Sequence, residues 1–460
     1  MNMPKPFTKK RSQGALSATN VNNKKCEPMQ NCFNLDDMMQ FEAARQRALA
    51  HFVPENDSKL FNEFVANRIF INNVDLFNGS YYVKYLSQIK EPEIEGEGAS
   101  DGEELGTEFP STEEDNEEPN EETFEEDDNS SKDSSSVKPG KAQRRPSFSF
   151  ELVGSIDFVN NPKYIKSEAI MELFDNEKKS QFLEKVLSCG VIIYDITSTL
   201  YCHPKQIEEA MWVAESIHRR LEYLEKSQPR VFQKYTDCRT LILVSTLLTW
   251  AKTKPIDPDD PTLPFTERDF RKRKAHPNYK VHCELEKKII ELGKKHPKHF
   301  RTIVIGSGVT YGHEEDVLHY LFKMAWKDHP HLPIFGTGKN IIPVIHINSL
   351  SSIIHNVIVK FPEKYHYLIA MDPESITLKE ITKLLAKTLG NGKTLKVTSE
   401  EAMLYPDIKQ RIYDMLTANI NIVPGYILDK MTVNWATDRP LRENIDNMIT
   451  EFKEARGLLV

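Results

Sequence analysis

Arg68-Ile-Phe-Ile-Asn-Asn73 is an apolar, β-branched run that ends abruptly in two asparagines, and an apolar helical spacing through Tyr82, Tyr85 and Leu86 follows it. A strand that turns at once into a helix is how a dinucleotide-binding unit begins. The turn itself, Asn72 to Ser80, holds a single glycine, Gly79. The fingerprint G-x-G-x-x-G needs three, because they let the backbone approach the pyrophosphate and aim the helix N-terminus at it. A chain that keeps this fold and lacks this loop points away from ordinary redox catalysis.

Outward from that turn the same alternation recurs. Apolar strands read Phe150-Glu-Leu-Val-Gly, Val191-Ile-Ile-Tyr-Asp, Leu241-Ile-Leu-Val-Ser and Thr302-Ile-Val-Ile-Gly, with helical stretches at 206–226 and 282–294 between them. Such alternation predicts an α/β fold, a Rossmann-like doubly wound parallel sheet with helices on both faces. The expected division is a tail over 1–66 and one domain over 67–460, the latter interrupted by an acidic insert at 91–148. A small C-terminal, substrate-like part is expected from roughly 330–370 and 395–440. Residues 1–30 are polar and predicted disordered, whereas 36–52 fits one amphipathic helix through Met39, Phe41, Ala44 and Leu49.

The charge balance is uneven. Residues 91–130 carry 19 Asp and Glu with no Lys or Arg, so setting them aside from the formal −8 leaves +11 on the rest. The insert is too polar to bury a core and reads as a solvated loop, with contact to a basic partner as its functional alternative. The positive remainder is scattered rather than striped, so no nucleic-acid partner is expected. Arg144-Arg-Pro-Ser147 resembles a basophilic kinase site, which makes Ser147 a candidate phosphosite. The six cysteines, Cys26, Cys32, Cys189, Cys202, Cys238 and Cys283, form no C-x-x-C pair, and H-E-x-x-H is absent. No metal site and no disulfide framework are expected. The N-terminus lacks the apolar core of a signal peptide, and no apolar run approaches the roughly 20 residues of a membrane span. A reduced, cytoplasmic, soluble protein without a membrane partner is the expectation.

Candidate chemistry gathers around a strand ending in Ser245-Thr246 and a helix carrying Lys287 some forty residues later. Here the chain resembles the extended short-chain dehydrogenase family, in its epimerase and dehydratase branch. Leu241-Ile-Leu-Val-Ser-Thr-Leu-Leu-Thr-Trp-Ala, Thr302-Ile-Val-Ile-Gly-Ser-Gly-Val-Thr-Tyr311-Gly312 and Pro333-Ile-Phe-Gly-Thr-Gly-Lys-Asn carry the resemblance, the last followed by Pro343-Val-Ile-His-Ile-Asn. The resemblance implies NADP or NAD, and a Tyr-x-x-x-Lys pair whose lysine lowers the tyrosine pKa, with a Ser or Thr hydroxyl opposite. Lys287 and Thr246 fit those positions, but the tyrosine position is Cys283, whose thiol is too short, and Tyr279 lies two turns away. Thr246, Cys283 and Lys287 are read as vestigial. Gly79, Asp157 (for a ribose hydroxyl) and Ser245 are the weak cofactor candidates, and no bound cofactor is expected. Taken singly, Lys287 also reads as a solvated helix lysine, Thr246 as a backbone partner and Cys283 as a small buried hydrophobe.

Three decoys are set aside. Gly390-Asn-Gly-Lys-Thr394 resembles the end of a P-loop, but the required first glycine is Lys387 and a helix precedes it. Gly306-Ser-Gly308 with Gly312 is one residue too long for the dinucleotide fingerprint, and His329-Pro-His331 has no further ligands near it in sequence.

Val191-Ile-Ile-Tyr-Asp-Ile-Thr, Leu243-Val-Ser-Thr-Leu-Leu-Thr-Trp-Ala-Lys, Pro264-Phe-Thr-Glu-Arg-Asp-Phe-Arg-Lys-Arg-Lys-Ala-His-Pro-Asn, Leu321-Phe-Lys-Met-Ala-Trp and Glu454-Ala-Arg-Gly-Leu are more specific. They resemble the N-terminal region of the adenylate kinase 7 family of ciliary proteins, over about 67–458. In that family the chain then enters a P-loop kinase domain, whereas this sequence stops at Val460. The resemblance implies a non-catalytic interaction protein of the cilium or flagellar axoneme, with axonemal or other ciliary proteins as partners. An NADP-dependent reductase or epimerase is the alternative.

Overall fold

The computed structural model describes residues 64–89, 150–156, 164–198, 205–313, 317–402, 404–405, 408–433, 441–455 and 457. The acidic insert, the 36–52 helix, Ser147 and Asp157 therefore lie outside the described residues.

Strand β1 (Val65–Ile71) leads into helix α1 (Phe77–Ser87). Then come β2 (Glu151–Ser155), β3 (Ile170–Phe174), α2 (Lys179–Leu187), β4 (Cys189–Asp195) and α3 (Lys205–Ser227). They are followed by β5 (Arg239–Thr246), α4 (Lys280–Gly293), β6 (Phe300–Ser307), β7 (Val309–Tyr311) and α5 (His319–Trp326). The chain continues through β8 (Leu332–Phe335), β9 (Ile341–Ile342), β10 (Val344–His346), α6 (Ile347–Val359), β11 (Tyr367–Ala370) and β12 (Ile376–Thr377). The last elements used below are α7 (Leu378–Thr388), β13 (Thr394–Val397) and α8 (Leu441–Ala455).

Seven strands form one sheet in the order β11-β6-β5-β4-β1-β2-β3, and every neighbouring pair is parallel. Its central strands are apolar without alternation because both faces are covered. Phe70, Ile192, Tyr194, Leu241, Leu243 and Val304 point into one core with α2, α3 and α4. Ile69, Ile71, Val191, Ile193, Ile242, Val244 and Ile305 point into the other with α1 and α6. The strand order reverses between β1 and β4, and ligands of open α/β sheets bind in the crevice at such a point.

The smaller part is built from the pairs β8–β13, β9–β12 and β7–β10 with α5, α7 and α8 around them. Part of the 330–370 segment expected there returns to the large sheet instead. Tyr367-Leu-Ile-Ala is buried throughout and pairs with β6 as the edge strand, and α6 packs beside α1. Among the described residues, no helix is long and apolar enough to cross a membrane.

Candidate functional site

At the β1–β4 reversal the chain's own buried polar groups, Asn72, Asn78, Asp195 and Thr197, form a hydrogen-bonded network. Asn72 leaves β1 and pairs with the end of β4: its Nδ2 donates to the Asp195 carbonyl at 3.0 Å, and its Oδ1 accepts from Asp195 N at 2.7 Å. The Asp195 carboxyl then collects four donors. Asn78 Nδ2 and Tyr82 OH reach Oδ2 at 2.9 and 2.6 Å, and Thr197 N and Oγ1 reach Oδ1 at 2.8 and 2.6 Å. Burial raises the Asp195 pKa, while the bonds from Thr197, Tyr82 and Asn78 pull the other way. Burial, then the neighbouring Asp195, raises Tyr82 well above an ordinary phenol. The two groups are bonded to each other at 2.6 Å.

The turn above this network explains what the single glycine does. A Cβ on Gly79 would stand 2.3 Å from the Asn73 carbonyl oxygen, so Gly79 lets α1 press onto the turn, the role of the third fingerprint glycine. Three positions earlier the fingerprint requires a second glycine, to admit the pyrophosphate. That position is Leu76, the helix N-cap residue, which makes no side-chain cap and is 41% exposed. The first fingerprint position is Val74, and the residue before it, Asn73, takes the left-handed backbone that favours glycine, at φ 48°. The turn thus departs from the glycine fingerprint at every position but Gly79.

At the reactive position the ends of β5 and α4 meet. Ser245 Oγ donates to Glu286 Oε1 at 2.6 Å, and Arg273 holds the other oxygen, with Nε 2.9 Å and the ion pair 2.8 Å from Glu286 Oε2. The side chains of Arg273 and Glu286 are 1% and 0% exposed. The guanidinium also lies 4.9 Å over the Tyr367 ring, whose hydroxyl accepts from Trp250 Nε1 at 2.9 Å. Burial raises the Glu286 pKa against the lowering effect of Arg273 and Ser245. Thr246 Oγ1 accepts from Leu248 N at 3.2 Å and so caps the short 3-10 turn Leu247–Trp250. Cys283 is buried, and its thiol pKa is raised by that burial.

Of the sequence candidates, then, Ser245, Thr246 and Cys283 gather at the β5–α4 seam, whereas Lys287 is exposed on the outer side of α4. The residue turned inward is its neighbour Glu286. Tyr279 is fully buried, with its ring 5.0 Å from that of His282. Gly390–Thr394 joins α7 to β13, a helix-to-strand turn unlike the strand-to-helix turn of a P-loop. His329 Nδ1 lies 2.8 Å from the His331 carbonyl oxygen.

Sequence reading missed two groups. Glu286 stood beside Lys287, and the buried stripe Leu285, Glu286, Ile289 was the available signal. His313, His346 and Glu451 come together from three distant segments, and no local pattern announces them.

Solved structures of extended short-chain dehydrogenases and epimerases share this Rossmann-like fold. The dTDP-glucose 4,6-dehydratase of Bacillus anthracis, solved with NAD, aligns with a TM-score of 0.52 at 13% identity, over 85% of this chain and 98% of that one. The UDP-glucose 4-epimerase of Thermotoga maritima, solved with UDP-glucose, gives 0.50 at 11% identity, over 85% of this chain and 99% of that one. At such identities the likeness is one of fold alone. No family model matches the chain.

The sequence itself is adenylate kinase 7-like. It is 39% identical to the mouse (Mus musculus) adenylate kinase 7 over 274 residues, which are 59% of this chain and 42% of that protein. With the Macaca fascicularis adenylate kinase 7 it is 39% identical over 175 residues, 38% of this chain and 32% of the other. The chain thus spans less than half the length of these curated relatives.

Proposed function

We propose that this chain is a non-catalytic interaction protein of the cilium or flagellar axoneme, in which a Rossmann-like body serves as a scaffold for other ciliary proteins. The observation that carries the non-catalytic part is the β1–α1 turn. Leu76 stands where a pyrophosphate needs glycine, above the Asp195 network. The β5–α4 seam supports the same reading: an exposed Lys287 and a buried Glu286–Arg273 pair offer no phenol with a lysine beside it. A fold does not fix a function, and a scaffold that has kept its two cores can present surfaces without turning over a substrate. The cilium enters through the likeness to adenylate kinase 7, a ciliary family. Phosphoryl transfer is not carried over from that name, because the chain spans less than half the length of these relatives.

The test is to express the tagged full chain in ciliated cells, image it, and recover its companions from isolated cilia. Axonemal signal with axonemal proteins enriched is the expected result. A diffuse cytosolic signal with none enriched would overturn the ciliary role and favour the reductase or epimerase alternative.

A further inference from the structure

β7 and β10 run parallel, with His346 beside Tyr311, and their ends converge under helix α8. Gly312 lies directly over the His346 ring at φ 102°, where a Cβ would fall 2.4 Å from His346 Nε2. Only glycine lets the strand end cross the imidazole so closely. His313 follows at φ 56°, an uncommon conformation for a residue with a Cβ. Its ring faces His346 edge-on and stacks on Tyr81 of α1, 4.9 Å away and 4° from parallel.

Glu451 of α8 completes the group. Its Oε2 is 3.7 Å from His313 Nδ1 and 3.9 Å from His346 Nε2, and accepts from His313 N at 2.9 Å. One ligand atom from each residue lies within 4.8 Å of the other two. His346 is buried, and α8 is fixed beside the site by Phe452, which packs on Phe322 and Trp326.

We propose that His313, His346 and Glu451 form a binding site for a borderline divalent transition metal of the zinc type, which clasps α8 to the ends of β7 and β10. Two imidazoles and one carboxylate are a donor set that zinc accepts, leaving a fourth position open to water. Ligand bonds near 2.0–2.1 Å place tetrahedral ligand atoms about 3.4 Å apart. The Glu451 distances of 3.7 and 3.9 Å are close to that, and the two imidazole nitrogens, within 4.8 Å of each other, are drawn together by a small turn of the partly exposed His313 ring. Asn348 supplies an orienting partner: its amide lies 3.4 Å from His313 Nε2 and, with the carbonyl oxygen turned to that side, accepts a hydrogen bond from Nε2–H and so leaves Nδ1 free for the metal.

Two features oppose the metal. Lys84, over the Tyr81 ring at 5.4 Å, is a nearby positive charge. His346 Nδ1 now accepts Asn348 N at 3.2 Å, a helix cap that must be given up when Nε2 binds metal and the proton moves to Nδ1. Both point to micromolar rather than nanomolar affinity. The site does not depend on whether a dinucleotide binds.

The test is calorimetric titration of the full chain, free of any histidine tag, with ZnCl2 and separately with CoCl2, followed by thermal melts with and without metal. The expected result is one ion per chain, a melting temperature raised by metal, and at least a tenfold loss of affinity in both His313→Gly and Glu451→Gln. Glu451→Gln keeps an oxygen for His313 N, and His313→Gly relieves the backbone, so the fold has reason to survive both. Should His313→Gly fail to fold, Glu451→Gln decides alone. No saturable binding by the natural sequence, or binding unchanged in the variants that fold, would overturn the proposal.

Discussion

Glu286→Leu is the most instructive single change. It leaves the Arg273 guanidinium, 1% exposed, facing an apolar side chain in place of a carboxylate 2.8 Å away. It also leaves Ser245 Oγ without its 2.6 Å acceptor. Breaking one side of a buried ion pair typically costs about 3–5 kcal/mol, because the remaining charge stays desolvated. Replacing both charges with apolar groups of similar volume is often neutral or better. The double variant Arg273→Met with Glu286→Leu should therefore lie within about 1–2 kcal/mol of the natural sequence, despite the lost contact of the guanidinium with Tyr367. Urea unfolding followed by tryptophan fluorescence suits the comparison, since Trp250 touches the network through Tyr367, and the double-mutant cycle isolates the coupling. A loss below about 1 kcal/mol in Glu286→Leu, or simple additivity in the double variant, would refute the claim that this pair stabilises the seam as a unit.

Further outcomes follow from other positions. Gly79→Ala should cost roughly 1–3 kcal/mol in urea unfolding, the usual cost of overpacking, because its Cβ would meet the Asn73 carbonyl oxygen at 2.3 Å; an unchanged midpoint would contradict the close packing. His282 is fully buried, and burial pushes its pKa down from 6.5 to about 4. The unfolded chain then binds the proton first, so stability is lost as pH falls from 6.5 towards 4, by about 3 kcal/mol for this group. The difference in unfolding free energy between the natural sequence and His282→Leu should shift by that amount between pH 7 and pH 4, and a flat difference would refute the buried neutral imidazole. Tyr82→Phe removes a 2.6 Å donor from Asp195 and should destabilise by about 1–3 kcal/mol in the same assay; no change would mean that the Asp195 network is looser than described.

Much of the fold was legible because parallel strands buried on both faces are written as unbroken apolar runs. Val191-Ile-Ile-Tyr-Asp and Leu241-Ile-Leu-Val-Ser could hardly be anything else. β3 escaped notice because Ile170-Met-Glu-Leu-Phe is an edge strand whose middle is exposed, so its apolar signal is interrupted. The missing glycines could be read from the turn alone, but the polar network at the reversal could not, since Asp195 meets Tyr82 from 113 residues away. At the β5–α4 seam a single residue decides. One step along a helix turns a side chain by about 100°, enough to put Glu286 inside and Lys287 in solvent. The His313–Glu451 approach spans 138 residues and depends on Gly312 crossing His346, a geometry with no local sequence signature.

The central claim, a Rossmann-like scaffold that has lost its cofactor, is tested most directly by titrating the full chain with NADPH and with NAD in a calorimeter. Leu76 at the second glycine position and the Asp195 network at the β1–β4 reversal lead us to expect no saturable binding at concentrations well above the micromolar range. Micromolar affinity for either dinucleotide, lost on disturbing Ser245, would contradict it and return the chain to the enzymes whose fold it shares.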